Sequence, residues 1–110
     1  MNFDETSEFS KDFKRLSKKY KSLADDLVEF KKVVSKFPLG VGKHFAVIIE
    51  RETIKVVKGR LFCRCLRGSS LRIIYSYCES KNRIVFIQLY FKGDKESEDR
   101  KRIKNHLYDF

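Results

Sequence analysis

The sequence predicts an α+β domain in which two N-terminal helices cover one face of a small, mixed or mostly antiparallel sheet and a further helix ends the chain. Three observations predict it. Residues 58–94 read as three apolar runs rich in Ile, Val, Phe, Tyr and Leu, each about strand length. The runs are separated by Arg67-Gly68-Ser69-Ser70 and Glu79-Ser80-Lys81-Asn82, whose small and polar residues allow tight reversals. Upstream of them, apolar residues recur at helical spacing in two consecutive stretches. With 110 residues and 42% hydrophobic content, the chain suffices for one domain, residues 1–110, around one modest core.

Taken in order, Asn2 to Glu5 is a candidate first strand. Thr6 or Ser7 then caps a helix whose apolar stripe is Phe9, Phe13, Leu16 and Tyr20, spaced i, i+4, i+7, i+11. Ser22 caps a second helix, with Asp25 as its capping-box partner and Leu23, Leu27, Phe30, Val34 and Phe37 as its stripe. Pro38 and Gly40 stop it. The very short link makes the pair an αα-hairpin, and its aromatic stripes are core rather than a ligand box. A loop from Leu39 to His44 follows, then Phe45 to Glu50 as a strand or irregular crossing, and a turn at Arg51-Glu52-Thr53. Ile54 to Val57 returns as a strand leading into the three-strand meander. After a turn at Lys92 to Lys95, Ser97 caps a last helix to about Leu107, whose apolar contribution is chiefly Ile103 and Leu107. A helix this polar is expected to be loosely attached or to wait for a partner.

Several classes are excluded by what the sequence lacks. No apolar run approaches the roughly 20 residues that span a bilayer. The acidic start, MNFDETSEF, is no signal peptide, so a cytoplasmic location without membrane association is expected. Cys63, Cys65 and Cys78 form no disulfide framework, and Cys63-x-Cys65 places two thiols on one face of one strand with nothing nearby to complete a zinc site. There is no phosphate loop and no nucleophile elbow, and no metal or small-molecule cofactor is expected. His44 and His106 belong to no motif and read as ordinary surface residues.

The net charge of +10 is unevenly placed. Residues 41–91 carry ten Lys/Arg against three Asp/Glu, while residues 1–40 carry nine against seven and residues 92–110 six against five. The excess lies on the sheet, which is the footprint of a polyanion binder; the bland alternative is a chain kept soluble by scattered lysines. Alternation along the strands sharpens this. Leu71, Ile73, Tyr75 and Tyr77 share the face toward the helices, so Arg72 points away. In the last strand Ile84, Phe86, Gln88 and Tyr90 share a side, with Tyr90 on the open face. In the first, Arg60 and Arg64 face outward unless a bulge intervenes. The expectation is a concave sheet face carrying Arg60, Arg64, Arg72, Tyr90 and Lys92, with Lys58, Arg67 and Lys95 as further RNA contacts. Such a face suits RNA, since arginines pair with phosphates and tyrosines stack on bases. It also suits RNA cleavage by a 2′-hydroxyl, which needs a proton acceptor, a proton donor and cations but no metal.

The order strand, helix hairpin, meander resembles the RelE/ParE superfamily of toxins from type II toxin–antitoxin pairs. Arg-Leu-Phe-Cys-Arg at 60–64, Leu-Arg-Ile-Ile-Tyr at 71–75 and Ile-Gln-Leu-Tyr-Phe-Lys-Gly-Asp-Lys at 87–95 resemble the meander of RelE- and HigB-like members. The resemblance implies a ribosome-dependent mRNA endonuclease, with mRNA, the ribosome and a cognate antitoxin as partners. It implies catalytic positions at Arg72, Lys92 and Tyr90. With Arg64, these would act as phosphate ligands (Arg72, Arg64), cation or acid (Lys92) and base or stacking platform (Tyr90). The antitoxin is expected to lay an acidic or amphipathic segment over the basic surface or to displace the last helix. The same family includes ParE-like gyrase inhibitors, and a non-enzymatic binding module on the same fold is a third reading.

Overall fold

The computed structural model describes residues 1–67, 69–95 and 97–108. The chain begins with β1 (Asn2–Glu5) and turns at Thr6 into α1 (Ser7–Lys19). Thr6 is extended, and its hydroxyl accepts the Phe9 N–H at 3.1 Å, satisfying one of the helix's orphan donors. Glu8 in the first turn and Lys18 and Lys19 in the last suit the helix dipole. Phe9, Leu16 and Tyr20 of the predicted stripe are buried and Phe13 is half-buried, but Asp12 is buried beside them.

The second helix, α2 (Leu23–Lys36), follows after a short turn. Ser22 is already helical and does not cap it; the hydroxyl donates instead to Asp26 Oδ2 at 2.6 Å. Asp26, one residue beyond the expected partner, is thus the acid that organises this terminus. Leu23, Leu27, Phe30 and Val34 are buried, whereas Phe37, the last predicted stripe position, is exposed. At Gly40 φ is +83°, and an added Cβ would fall inside the ring of Phe45, so only glycine lets the chain turn this closely over the sheet. A single 3₁₀ turn, Gly42–His44, leads into β2.

The sheet has five strands in the order β1-β5-β4-β3-β2. β2 (Phe45–Glu50), β3 (Lys55–Phe62), β4 (Ser70–Cys78) and β5 (Arg83–Phe91) form a continuous antiparallel meander, and β1 adds in parallel to β5. The meander is therefore longer than expected: residues 55–57 and the start of the first predicted run belong to one strand passing through Gly59. That strand stops at Phe62, so Cys63 and Cys65 lie in the following turn rather than on one strand face; Cys63 is buried and Cys65 exposed. Gly68 of the first predicted break lies outside the described residues.

The helix hairpin covers one sheet face. Its core is aromatic, with Phe9 stacked on Phe86 at 5.3 Å between ring centres and Phe30 on Phe45 at 5.9 Å. Tyr75 is fully buried among them, and its hydroxyl donates to the Pro38 carbonyl at 2.7 Å, so its polar atom is satisfied. Alternation in β5 is broken midway. Phe86 pairs with Tyr75 and Gln88 with Ile74, leaving Ile87 as an extra residue. Ile84 and Phe86 consequently lie in the hairpin core, while Gln88 and Tyr90 lie on the opposite face; the expected single side does not exist.

The opposite face is partly covered too. The last helix, α3 (Arg100–Tyr108), buries Ile103 and Leu107 in a second cluster with Ile54, Val56, Ile74, Ile87 and Tyr90. Its cap is Asp99, not Ser97: Asp99 Oδ1 accepts the Arg102 N–H at 3.1 Å, while the Asp99 N–H donates to Gln88 Oε1 at 2.7 Å. Arg102 bonds Asp12 on α1 at 2.6 Å. Glu98, just before the helix, binds Lys58 of β3 at 3.1 Å. The helix expected to be loose is held by a buried apolar pair and by these polar ties, to which His106, expected as a surface residue but half-buried, adds a hydrogen bond between its Nε2 and Ser76 Oγ at 3.0 Å. Among the described residues, no helix is long and apolar enough to cross a membrane.

Candidate nucleic-acid interface

Beyond the edge of α3 the sheet face stays open. Register places Arg60 directly opposite Arg72, and Arg72 directly opposite Tyr90. The three strands thus set these residues in one transverse row. Phe45 pairs with Gly59, so His44 arrives beside Arg60 at the row's end. Lys92 follows β5 and closes the other side. Two adjoining hollows result. One, of about 690 Å³, is lined by Arg60, Phe62, Arg64, Arg72 and Lys92 among others. A smaller one, of about 200 Å³, takes in Lys43, His44, Lys58, Arg60, Arg72 and Lys92.

The electrostatics of this groove are unfavourable for the protein alone. Like charges directly opposite across a sheet destabilise it. Among the described residues no carboxylate pairs with Arg60, Arg72 or Lys92; Arg72 donates only to Ser70 Oγ, at 2.8 Å. Two facing guanidinium groups and an ammonium without acidic partners make this part of the sheet face electrostatically suited to an anion. Lys58 lies two residues before Arg60 on β3 but is already engaged by Glu98. Burial opposes the Glu98 charge, yet Lys58 and Arg100 outweigh it and hold the carboxyl below the usual range.

Four of the residues expected on or beside this face sit differently. Arg64 reaches the groove's rim, but its guanidinium is committed elsewhere. Because β3 ends at Phe62, the chain turns toward the N-terminus of α2, where the Arg64 N–H and Nε each donate to Asp26 at 3.1 Å and Nη2 lies 3.4 Å from Asp25. Arg64 is thereby a tie between the meander and α2 and not a free phosphate ligand. Tyr90 is on the expected face but only 4% exposed, beneath Ile103 and Leu107, and its hydroxyl is buried without a partner. It does not line the groove; neither base nor stacking platform is available from it in this arrangement. Lys95 lines a separate small hollow with Asp12 and Arg102, and Arg67 is exposed in the turn after β3 without lining the groove.

Two groove residues were not singled out from sequence. Phe62 is 61% exposed, and the His44 ring meets it edge-on at 5.2 Å and 89°. The signal for Phe62 was its place two residues after Arg60 on one strand face, which marks an aromatic among arginines. His44 had no local signal, because it is brought there by the pairing of β2 with β3. Among the described residues no group of His, Cys, Asp or Glu is arranged to hold a metal ion.

The Asp26 tie has a pH signature. Burial disfavours its charge, but hydrogen bonds from Ser22, Cys63 and Arg64 outweigh burial and place its pKa below the ordinary 3.8. A lowered folded-state value stabilises the fold fully above the unfolded value and is lost as pH falls through the folded one. Urea unfolding measured from about pH 5 down to pH 2 is expected to show this loss below the ordinary carboxylate range, and Asp26→Asn to flatten that limb of the curve.

Comparison with known proteins bears on the fold. No family model and no curated protein matches the sequence. Among solved structures, the archaeal RelE–RelB complex from Pyrococcus horikoshii OT3 matches with a TM-score of 0.64, covering 84% of this chain and 94% of the matched chain at 18% sequence identity. At that identity the likeness is one of fold. The chain therefore has the RelE-like fold, the architecture that its meander sequence already resembled.

Proposed function

We propose that the protein is the toxin of a toxin–antitoxin pair and cleaves mRNA in the ribosome, with the open sheet face as its active site. The observation that carries the reading is the facing pair Arg60 and Arg72 with Lys92 beside them, all three without acidic partners among the described residues. Cleavage by a 2′-hydroxyl builds negative charge on a five-coordinate phosphorus. Two guanidinium forks on neighbouring strands, that of Arg72 already held by Ser70, and an ammonium just after β5 are placed to stabilise that charge. In this scheme Arg72 and Arg60 hold the scissile phosphate, and Lys92 neutralises or protonates the leaving oxygen. Phe62, exposed at the groove's lip, offers a face for an unstacked base.

The matched complex has RelE bound to RelB, and that supports an antitoxin partner here. The Glu98–Lys58 contact supports an acidic one, because it is a carboxylate of the chain itself already seated at the groove's edge. An acidic segment from an antitoxin would extend the same contact across Arg60 and Arg72.

Induced expression in a bacterial host tests the reading. Growth arrest with immediate loss of protein synthesis, and fragments of translated mRNA cut within codons, is the expected result. Continued translation with induced DNA damage would mark a gyrase inhibitor instead and overturn it. No phenotype in the absence of an antitoxin would leave only a binding module.

A further inference from the structure

We infer that His44 is the proton acceptor of this groove, taking the proton from the attacking 2′-hydroxyl. The inference rests on the reading of the face as an RNA-cleaving site and supplies a residue that reading lacks. Attack by a hydroxyl on the adjacent phosphate needs a group that accepts a proton at neutral pH. The described residues lining the two hollows offer few. Lys43, Lys58, Arg60, Arg64, Arg72 and Lys92 are cations and donors only. Cys63 is buried, and burial pushes its thiol up, away from the thiolate. Tyr90 is sealed under α3 and Glu98 is engaged by Lys58 and Arg100. His44 remains.

Its placement suits the role. The last residue of the 3₁₀ turn, it stands beside Arg60 at the end of the transverse row, so a phosphate held by Arg60 and Arg72 brings its neighbouring ribose toward the imidazole. Nδ1 is buried without a hydrogen-bond partner, so no hydrogen bond to it fixes the tautomer, and with the hydrogen on Nδ1 the Nε2 is the accepting nitrogen. Phe62 braces the ring edge-on. The charged groups facing it are Lys43 from its own turn, Lys58 and Arg60 from β3, Arg72 from β4 and Lys92 from the end of β5, all cationic.

The step balances with these residues alone. His44 Nε2 takes the 2′-hydroxyl proton as the 2′-oxygen bonds to phosphorus. The bond from phosphorus to the 5′-oxygen breaks with its electron pair, and the Lys92 ammonium protonates that oxygen. A 2′,3′-cyclic phosphate and a 5′-hydroxyl are left, and the imidazolium and the amine regain their starting states by proton exchange with water.

The test is single-turnover cleavage of mRNA on programmed ribosomes by the wild type, His44→Gln and His44→Ala. Both variants are expected to bind ribosomes like the wild type, with unchanged circular dichroism, and to cleave about 10²–10⁴-fold more slowly. The rise of the wild-type rate with pH on its acidic side should disappear in both. Added imidazole should restore part of the His44→Ala rate and none of the rate lost in Arg72→Ala, a rescue that a merely structural role would not produce. Wild-type cleavage left within threefold by His44→Gln, with its pH profile intact, would overturn the inference and leave the RNase reading standing. A wild-type chain that never cuts ribosome-bound mRNA would overturn both.

Discussion

Replacing Arg72 by alanine is expected to lower mRNA cleavage by about 10²–10³-fold while leaving the fold intact. Arg72 is half-buried at the centre of the open face, between Arg60 on one neighbouring strand and Tyr90 on the other. Its guanidinium is held by Ser70 Oγ at 2.8 Å, so it is positioned before any ligand binds. A fixed fork gains most when charge develops on the phosphorane, and its loss should appear in the chemical step more than in ribosome binding. Arg72→Lys keeps the charge without the two-pronged geometry and should fall between wild type and alanine. Arg51→Ala, in the exposed turn between β2 and β3 at the far end of the sheet, should be silent. Full cleavage by Arg72→Ala would remove the row from the active site. Removing Arg72 also relieves the repulsion with Arg60, so thermal stability is expected to hold or rise slightly, which separates a catalytic loss from misfolding.

The largest effect on stability is expected from Asp12→Ala, a loss of about 3 kcal/mol or more. Asp12 sits on the buried side of α1 with a side chain 11% exposed. Its Oδ2 accepts the Leu89 N–H at 3.1 Å and the Arg102 guanidinium at 2.6 Å, and Arg102 also donates to the Ile87 carbonyl at 3.2 Å. The reason for this arrangement is topological. β1 is only four residues long and pairs with residues 83–86 of β5, so the rest of that edge has no neighbouring strand. Its amide and carbonyl are satisfied by side chains from α1 and α3 instead. Alanine at position 12 would strand a nearly buried guanidinium and a strand amide together, which is costlier than losing one hydrogen bond. Asp12→Asn keeps an acceptor for Leu89 and should cost less. Urea denaturation gives the loss, and faster hydrogen exchange at the Leu89 amide locates it. A cost under 1 kcal/mol would show that water substitutes freely for the carboxylate.

Much of the architecture was legible because it is written in local period and local breaks. The αα-hairpin followed from apolar spacing with Pro38 and Gly40 after it, and the strands of the meander from apolar runs between turn residues. Arg60, Arg72 and Lys92 were placed on one face correctly, since strand alternation holds through β4 and most of β3. Where the reading failed, a non-local contact had overruled the local pattern. Ile87 bulges because the chain must put Phe86 under the hairpin and Gln88 under Asp99, and no alternation rule announces that. Arg64 left the face because β3 stopped one residue past Leu61, where Asp26 waited. Tyr90 was covered because α3, polar as it is, folds back and buries Ile103 and Leu107 over it. His44 entered the groove only through strand pairing.

By itself the sequence determined which segments are helix or strand and that the sheet would carry the excess positive charge, because periodicity and composition act over a few residues. The tertiary structure alone decided which charges stay unpaired. Asp12, Asp26 and Glu98 neutralise Arg102, Arg64 and Lys58 across 90, 38 and 40 residues of chain. Pairing at such distances depends on where folded elements meet, and on the open sheet face, among the described residues, it leaves Arg60, Arg72 and Lys92 without an acidic partner, with His44 at their edge.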